Sequence, residues 1–545
     1  MKIFIRSVVS LLLVSVQTSM GQRSLAPDYT ILRRSEVSLP FRVLDANRIK
    51  IALNNSGSLN RDISAFVSQR PDAWYSFDST YQGILYDQGP WIIGKVNGQL
   101  GGGVSIWGSS YAPGPIIDGK PGGWMRPADQ WRYHPYKITT GQNPHDSDYV
   151  LWPSDLGAPI NEDGTPKVLG NQSVWCVYNT ADSTVLPYSW RNAQFVRPIV
   201  EVQQTAFVRS GGYADTSVFS NAVFFEWTFV NKGPVSIDSC YLAFWTDIDF
   251  GKLLTNVPGV DTILQTGYCW WSDTSTTDPD QFAVGHVFLY GPVVPDVKGE
   301  SIFKGRKRPG FRNLPLSSFW GITEEYPVDT IFVQIPTSIE RAWSYARGLD
   351  RKGQPITNPR TGERTHFPYS GDPVTRSGWY FDYTRYRGNE AGCMLFSGPF
   401  TFAPADTQWM MLALLPATTN DFRKSLHALR SWAGSLRSLP YDSLAKPAPY
   451  TPYHPYIPAQ TSLYQNYPNP FNSTTTITYE ISEPALVQLQ IYDILGRHID
   501  NLVRSEQPAG AYTVRMKADN LASGSYFVRL RAGKSTITRK LMIIR

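Results

Sequence analysis

From residue 474 onward the chain alternates apolar and polar side chains in short runs. Ile477, Tyr479 and Ile481 are interleaved with Thr476, Thr478 and Glu480; Val487, Leu489 and Ile491 repeat the pattern, as do Tyr512, Val514 and Met516 against Thr513, Arg515 and Lys517. A period of two turns one set toward a core and the other toward water, which predicts β-strands. Gly496, Pro508, Gly510 and Gly524 stand between the runs, where the chain must reverse. Residues 463–545 therefore predict a small antiparallel, immunoglobulin-like β-sandwich.

Further upstream the apolar runs are longer and lose the alternation. Residues 221–231 and 237–246, joined by Lys232, Gly233 and Pro234, read as a buried hairpin. Strand-like segments at 173–178, 199–207 and 283–290 flank it, predicting a β-sandwich-rich body over 166–440. Helical periodicity is scarce. It occurs at 421–437, where Phe422, Leu426, Leu429, Ala433 and Leu436 share a face behind an Asn420 or Asp421 cap, and at 338–347. Residues 22–165 are interrupted by glycine and proline too often for long elements and predict a separate N-terminal region of short strands and loops. Prolines crowd 441–462, predicting an extended linker. The fold class is mainly β.

Composition supports this reading. Aromatic residues make up 13% of the 545, with 43 Gly and 41 Pro, a mixture suited to strands and many turns. Lys2 and Arg6, an apolar run and a small-residue site before Gln22 read as a signal peptide over 1–21. No other segment approaches the length of a membrane span, so none is expected in the mature chain. About 440 residues lie between signal and tail, enough for two or three domains. The formal charge of +6 vanishes from them on inspection, because the signal carries two basic residues and 463–545 carries ten basic against six acidic. A neutral body gives no electrostatic basis for nucleic-acid binding.

The tail also resembles a known family. Asn469, Pro470 and Asn472, then Gly496, Gly510, Tyr512, Gly524, Tyr526 and Lys540, stand in the order of the type A C-terminal sorting domain of the type IX secretion system of Bacteroidetes-type Gram-negative bacteria. The resemblance covers only this tail. It implies export across the outer membrane by that machinery, with a processing enzyme and a surface glycolipid as further partners, and a secreted protein that is extracellular or attached to the outer-membrane surface. Stretches at 173–179, 200–207, 246–251, 369–373 and 397–402 are similar to large secreted proteins of the same lineage, a likeness that assigns no chemistry.

Candidate chemistry in the body is sparse. There is no H-E-x-x-H, G-x-S-x-G or P-loop motif. A cysteine-protease arrangement would need Cys269 with His286 or His366 as base, and the surrounding residues match no such family. Cys176, Cys240, Cys269 and Cys393 allow three pairings into two disulfides or remain buried thiols, and spacing does not choose. Asp247, Asp249 and Asp261 flank a strand end in a pattern that suits calcium if their oxygens converge; solvated turn residues are the alternative. The polar stretch 347–383 offers Trp379, Tyr380 and Asp372 as a glycan-binding surface, unless its aromatics pin the loop to its own domain. With no catalytic set identified, the sequence reads as an exported surface or extracellular protein, its body noncatalytic and suited to adhesion, matrix formation or glycan binding. The alternative is a secreted hydrolase of polysaccharide or protein, so whether it is an enzyme stays open.

Overall fold

The structure is a computed structural model that describes residues 41–58, 73–77, 80–106, 108–122, 132–187, 190, 194–210, 217–250, 256–271, 281–323, 336–381, 391–448, 460–466, 469–507, 510–518 and 521–544. The expected signal peptide and half of the expected proline-rich linker, residues 449–459, lie outside these residues. The chain divides into two compact units, 1–450 and 451–545. Antiparallel strands dominate both.

In chain order the principal strands of the first unit are β1 (Asp87–Val96), β2 (Gln99–Gly103), β3 (Tyr136–Thr139), β4 (Gln172–Asn179), β5 (Val200–Val208), β6 (Val223–Asn231), β7 (Ile237–Ile248) and β8 (Asn256–Asp261). They continue with β9 (Thr266–Trp271), β10 (Gln281–Tyr290), β11 (Val293–Phe303), β12 (Arg306–Asn313), β13 (Ser318–Thr323), β14 (Ala391–Phe402) and β15 (Thr407–Thr419). The helices used below are α1 (Ile339–Ala346), α2 (Phe422–Ser438) and α3 (Tyr441–Ala445). A nine-stranded sheet runs β3-β4-β5-β6-β15-β10-β9-β8, with Ala112–Pro113 paired to β4. A five-stranded sheet runs β13-β14-β7-β1-β2.

The two sheets face each other across an aromatic core. Trp227 on β6 meets Phe244 on β7 at 5.3 Å between ring centroids, and Phe244 meets His286 on β10 at 4.9 Å. Gly267 on β9 shows how closely the layers approach: a Cβ there would sit 2.9 Å from Phe319 and 3.0 Å from Leu395 of the opposite sheet. Both sheets are also covered on their outer faces. Helix α1, capped by Ser338, sets Trp343 against Tyr241, and its Tyr345 carbonyl accepts from the Trp320 indole. Helix α2, capped by Asp421, lays Leu426, Leu429, Ala433 and Leu436 on β10 and β15 and stacks Phe422 on Trp270 at 4.9 Å. Burial on both faces is why β6, β7 and β10 read as unbroken apolar runs.

Three expectations change. Strands β6 and β7 do not form a hairpin: β6 pairs with β5 and β15, whereas β7 pairs with β1 and β14. Their connection crosses between the sheets, and Asn231 holds the crossing by donating to the Val235 and Phe402 carbonyls and accepting from Gly233 N–H. The boundary expected at 165 does not separate two bodies, because β1 sits between β7 and β2 in the five-stranded sheet and its Trp91, Ile92 and Ile93 are fully buried. The linker expected from 441 begins later, since α3 packs Tyr441, Leu444 and Ala445 into the same core.

The second unit is the sandwich that the alternation predicts. Its strands are β16 (Ser462–Leu463), β17 (Thr474–Ile481), β18 (Ala485–Asp493), β19 (His498–Gln507), β20 (Gly510–Lys517), β21 (Gly524–Ala532) and β22 (Ser535–Ile543). Sheets β16-β17-β20 and β19-β18-β21-β22 enclose Ile477, Tyr479, Ile481, Val487, Leu489, Ile491, Val528 and Leu530.

The seat of α2 is testable. Leu429→Ala removes a fully buried side chain between helix and sheet and is expected to cost about 2–5 kcal/mol, against less than about 0.5 kcal/mol for exposed Lys424→Ala. Denaturant titration of the two variants beside wild type checks the difference.

Candidate functional site

The outer face of the nine-stranded sheet is apolar under α2 and polar on β5 and β6. There Gln203 donates to Glu201 at 3.1 Å, and Glu201 accepts from the Ile116 amide at 2.9 Å. Glu226 on β6 points to the same side, because its neighbour Trp227 faces the opposite sheet. It is 2% exposed, and among the described residues its Oε1 has no hydrogen-bond partner.

Three groups surround this carboxylate. Lys304 comes from the β11–β12 turn, Tyr441 from the start of α3, and Lys167 acts from the surface. Burial pushes the Glu226 pKa up, an effect that Lys304, the Tyr441 hydroxyl and Lys167 only partly offset. Burial likewise depresses the Lys304 ammonium despite the attraction of Glu226, with Lys167 depressing it further. Burial and then the Glu226 charge push the Tyr441 phenol well above its ordinary range. A carboxyl, a phenol and an amine thus share a poorly hydrated space in which each disfavours its own charged form.

Tyr441 and Lys167 also line a cleft of about 510 Å³. Its walls are the 139–142 turn with Thr139, Thr140 and Gln142, then Tyr149, Asn161, and α3 with Asp442 in its first turn and Lys446 just past its end. Hydroxyls, amides and charges of both signs line the cleft together with two aromatic rings, Tyr149 and Tyr441. The size lies within the usual range for small-ligand sites, and perturbed ionisable groups at the wall are a further mark of function. Sequence reading missed it because its residues come from four separated segments, none carrying a motif.

The residues singled out from sequence fall elsewhere. Asp247 is buried at the end of β7, with Asp249 two residues on, and Ile248 between them accepts from the Asn256 side chain at the start of β8. Asp261 closes β8 at its other end, about 16 Å along an extended strand. There it accepts from Ile263 and Leu264 amides and lies 3.6 Å from Arg430. The three aspartates do not converge, and no group of three metal-ligating side chains occurs among the described residues. Asp372 joins Asp261 on Arg430 instead, at 2.9 Å, and accepts from Thr375. Trp379 is 8% exposed and packs on Tyr369 at 5.3 Å, with Phe381 on the other side of that tyrosine. The ring pins the loop to its domain and is no open platform; Tyr380 beside it is half-buried. His286 is buried against Gln88 at 2.7 Å, and its pKa is lowered by burial to about 3, so it is a neutral core residue. Cys269 is equally enclosed, which removes the protease arrangement.

In the second unit the motif residues have structural employment. Asn469 accepts from the Met542 amide at 2.8 Å and donates to the Lys540 carbonyl at 3.2 Å, while Phe471 exchanges backbone bonds with Met542 and Ile544. The segment from Asn469 through Pro470 to Asn472 thereby clasps β22, and Phe471 fills the core. Gly496 takes φ 76° in a turn where Asp493 accepts from Leu495 and Arg497 amides and binds the Arg497 guanidinium at 2.6 Å. Tyr512 stacks on Tyr479 at 5.4 Å, Tyr526 donates to the Ala522 carbonyl, and Gly510 and Gly524 open β20 and β21 opposite Ile481 and Ile543.

The chain is thus a β-rich body and a separate small β-sandwich. Residues 465–544 match the family described as secretion system C-terminal sorting domain, and the tail is a type IX sorting domain that marks the protein for secretion. No curated protein matches the chain. Among solved structures, it is similar to a polysaccharide lyase at 7% identity and TM-score 0.18, covering 63% of this chain and 34% of that one. It is also similar to dimeric latent PorU from Porphyromonas gingivalis at 8% identity and TM-score 0.14, covering 68% and 31%. The chain spans about a third of the length of each. Among the described residues no helix is long and apolar enough to cross a membrane.

Two outcomes are expected. A carboxyl whose pKa is raised by folding binds its proton more tightly in the native state, so its contribution is fully present at low pH and is lost as pH rises through the native pKa. Glu226→Gln, which mimics the protonated form, should melt at or above wild type at pH 7–8 and converge with it near pH 4, checked by melting curves across pH. Asn469→Ala removes the clasp bonds and should cost the tail about 1–2 kcal/mol, with faster hydrogen exchange at Met542 N–H.

Proposed function

We propose that this chain is a cell-surface or extracellular protein whose body is a noncatalytic binder of glycans, taken at the cleft beside α3. The carrying observation is the wall of that cleft, where Thr139, Thr140, Gln142 and Asn161 offer short hydrogen-bonding groups beside Tyr149. Hydroxyl-rich sugars match such a lining: the ring gives an apolar face and the amides and hydroxyls fix orientation. Lys167 and Lys446, set against the single carboxylate of Asp442, favour sugars bearing an acidic group.

Binding is favoured over turnover by where the ionisable groups lie. Glu226 and Lys304 are neighbours, but the carboxylate is 2% exposed behind Tyr441. A general acid must come within hydrogen-bond reach of the bond it protonates. Delivery rests on the tail: the type IX machinery would carry the chain outward, and a processing enzyme would cut it or transfer it to surface glycolipid.

Two measurements test the parts separately. Cells expressing residues 1–462 should retain a folded body in the periplasm, and normal surface appearance of that truncation would remove the sorting assignment. On a glycan array, Tyr149→Ala and Lys167→Ala are each expected to lower retention about tenfold, the loss of roughly 1.4 kcal/mol of contact apiece, and exposed Lys167→Ala to do so without changing Tm. Release of product that Glu226→Gln abolishes would replace binding with hydrolysis.

A further inference from the structure

The sequence leaves three ways to pair four cysteines, and the fold separates them. Cys269 lies on β9 of the nine-stranded sheet and Cys393 on β14 of the five-stranded sheet. Both are fully buried and their Sγ atoms are 3.9 Å apart. Strands β9 and β14 bring Cα atoms within 8 Å of one another, and a sulfur–sulfur bond needs the two Sγ atoms to approach by about 2 Å. The other two thiols are placed differently. Cys176 donates to the Asn54 carbonyl at 3.4 Å and accepts from the Gln204 amide, beside Tyr178, whereas Cys240 lies beside Tyr111. Those two tyrosine rings pack against each other at 5.1 Å.

We propose that in the exported protein Cys269 and Cys393 are joined by a disulfide that ties the two sheets together, while Cys176 and Cys240 remain thiols. The sorting tail supplies the reason to expect oxidation, since its cargo passes through an envelope compartment where disulfides form and persist. The oxidant is a protein disulfide of an envelope dithiol oxidase. One cysteine thiolate attacks that disulfide and displaces an oxidase thiolate, leaving a mixed disulfide; the second thiolate then displaces the other oxidase sulfur. Two protons leave the cysteines and two electrons pass to the oxidase, which departs as a dithiol. Burial pushes the Cys269 thiol well above its ordinary pKa in the closed sandwich, so the exchange belongs to folding, before the sheets seal. The cross-link encloses a separation of 124 residues that includes the 347–381 loop, a span over which a bridge restricts the unfolded chain strongly.

Mass spectrometry decides the matter on wild-type protein. Full chain recovered from an oxidising envelope, denatured without reductant and treated with iodoacetamide, should carry two labels, and four after reduction, with a linked peptide pair containing Cys269 and Cys393. Four labels without reduction, or a bridge through Cys176 or Cys240, overturns the proposal. The C176S/C240S variant should keep the bridge and lose roughly 5 °C or more of Tm on reduction. A Tm in that variant indifferent to reductant overturns it as well. Because the host supplies the oxidising compartment, these outcomes are independent of whether the type IX route or the glycan reading holds.

Discussion

The body is organised by the need to cover a wide sheet on both sides. Strands β10 and β15 carry bulky apolar side chains in both directions, so the five-stranded sheet satisfies one face and leaves the other exposed unless something else lies on it. Helix α2 covers the half over β10 and β15. The β11–β12 hairpin and α3 cover the centre, where Trp409 is packed by Tyr290, Phe303 and Tyr441. Around Trp152 and Trp175 a smaller core forms under the 145–168 segment. Where these covers meet, the sheet presents Glu226 instead of a hydrophobe, and the cleft opens at the same seam. A cleft at the junction of separately contributed covers is a consequence of assembling one face from several pieces.

Legibility in the sequence followed this division. The tail could be read nearly strand by strand, because one face of each of its sheets meets water and alternation records which side is which. In the body, strands were visible but their partners were not. A run that is apolar on both faces carries no record of its neighbours, so β6 and β7 suggested a hairpin although the turn at Lys232 to Pro234 crosses between sheets. Nor did the glycine-rich stretch around 98–103 reveal a core strand: Gly101 to Gly103 lie where the backbone packs against Val196, Ile339 and Tyr111, and the absence of side chains there marks tight packing. The helices were legible through cap and stripe together, with Ser338 and Asp421 each accepting from the amide expected of an N-cap.

The candidate site was less legible for a related reason. Polar residues noticed first, Asp247, Asp261, Asp372 and Trp379, were conspicuous by spacing, and each is accounted for by its own surroundings. Arg430 draws Asp261 and Asp372 together across α2, and Trp379 closes over Tyr369. Glu226 was inconspicuous, one acid in a strand of aromatics, and became significant only once Lys304, Tyr441 and Lys167 were placed around it from distant parts of the chain. A buried carboxyl flanked by an amine and a phenol costs stability that an apolar residue in its place would not.

The tail shows the opposite economy, in which the first of its recognisable residues fasten its last strand. Strand β22 would be an open edge, with amides and carbonyls free to pair with another chain. Asn469 and Phe471 occupy that edge by bonding Met542, Lys540 and Ile544. The same contacts make the final strand dependent on a segment some 70 residues earlier, so neither the start nor the end of the module can be trimmed without exposing the other. The module is a folded object with its own core. That explains why its residues are recognisable in a chain whose body carries no comparable motif: they answer to the geometry of one small sandwich, whereas the body's residues answer to the several different covers laid over one sheet.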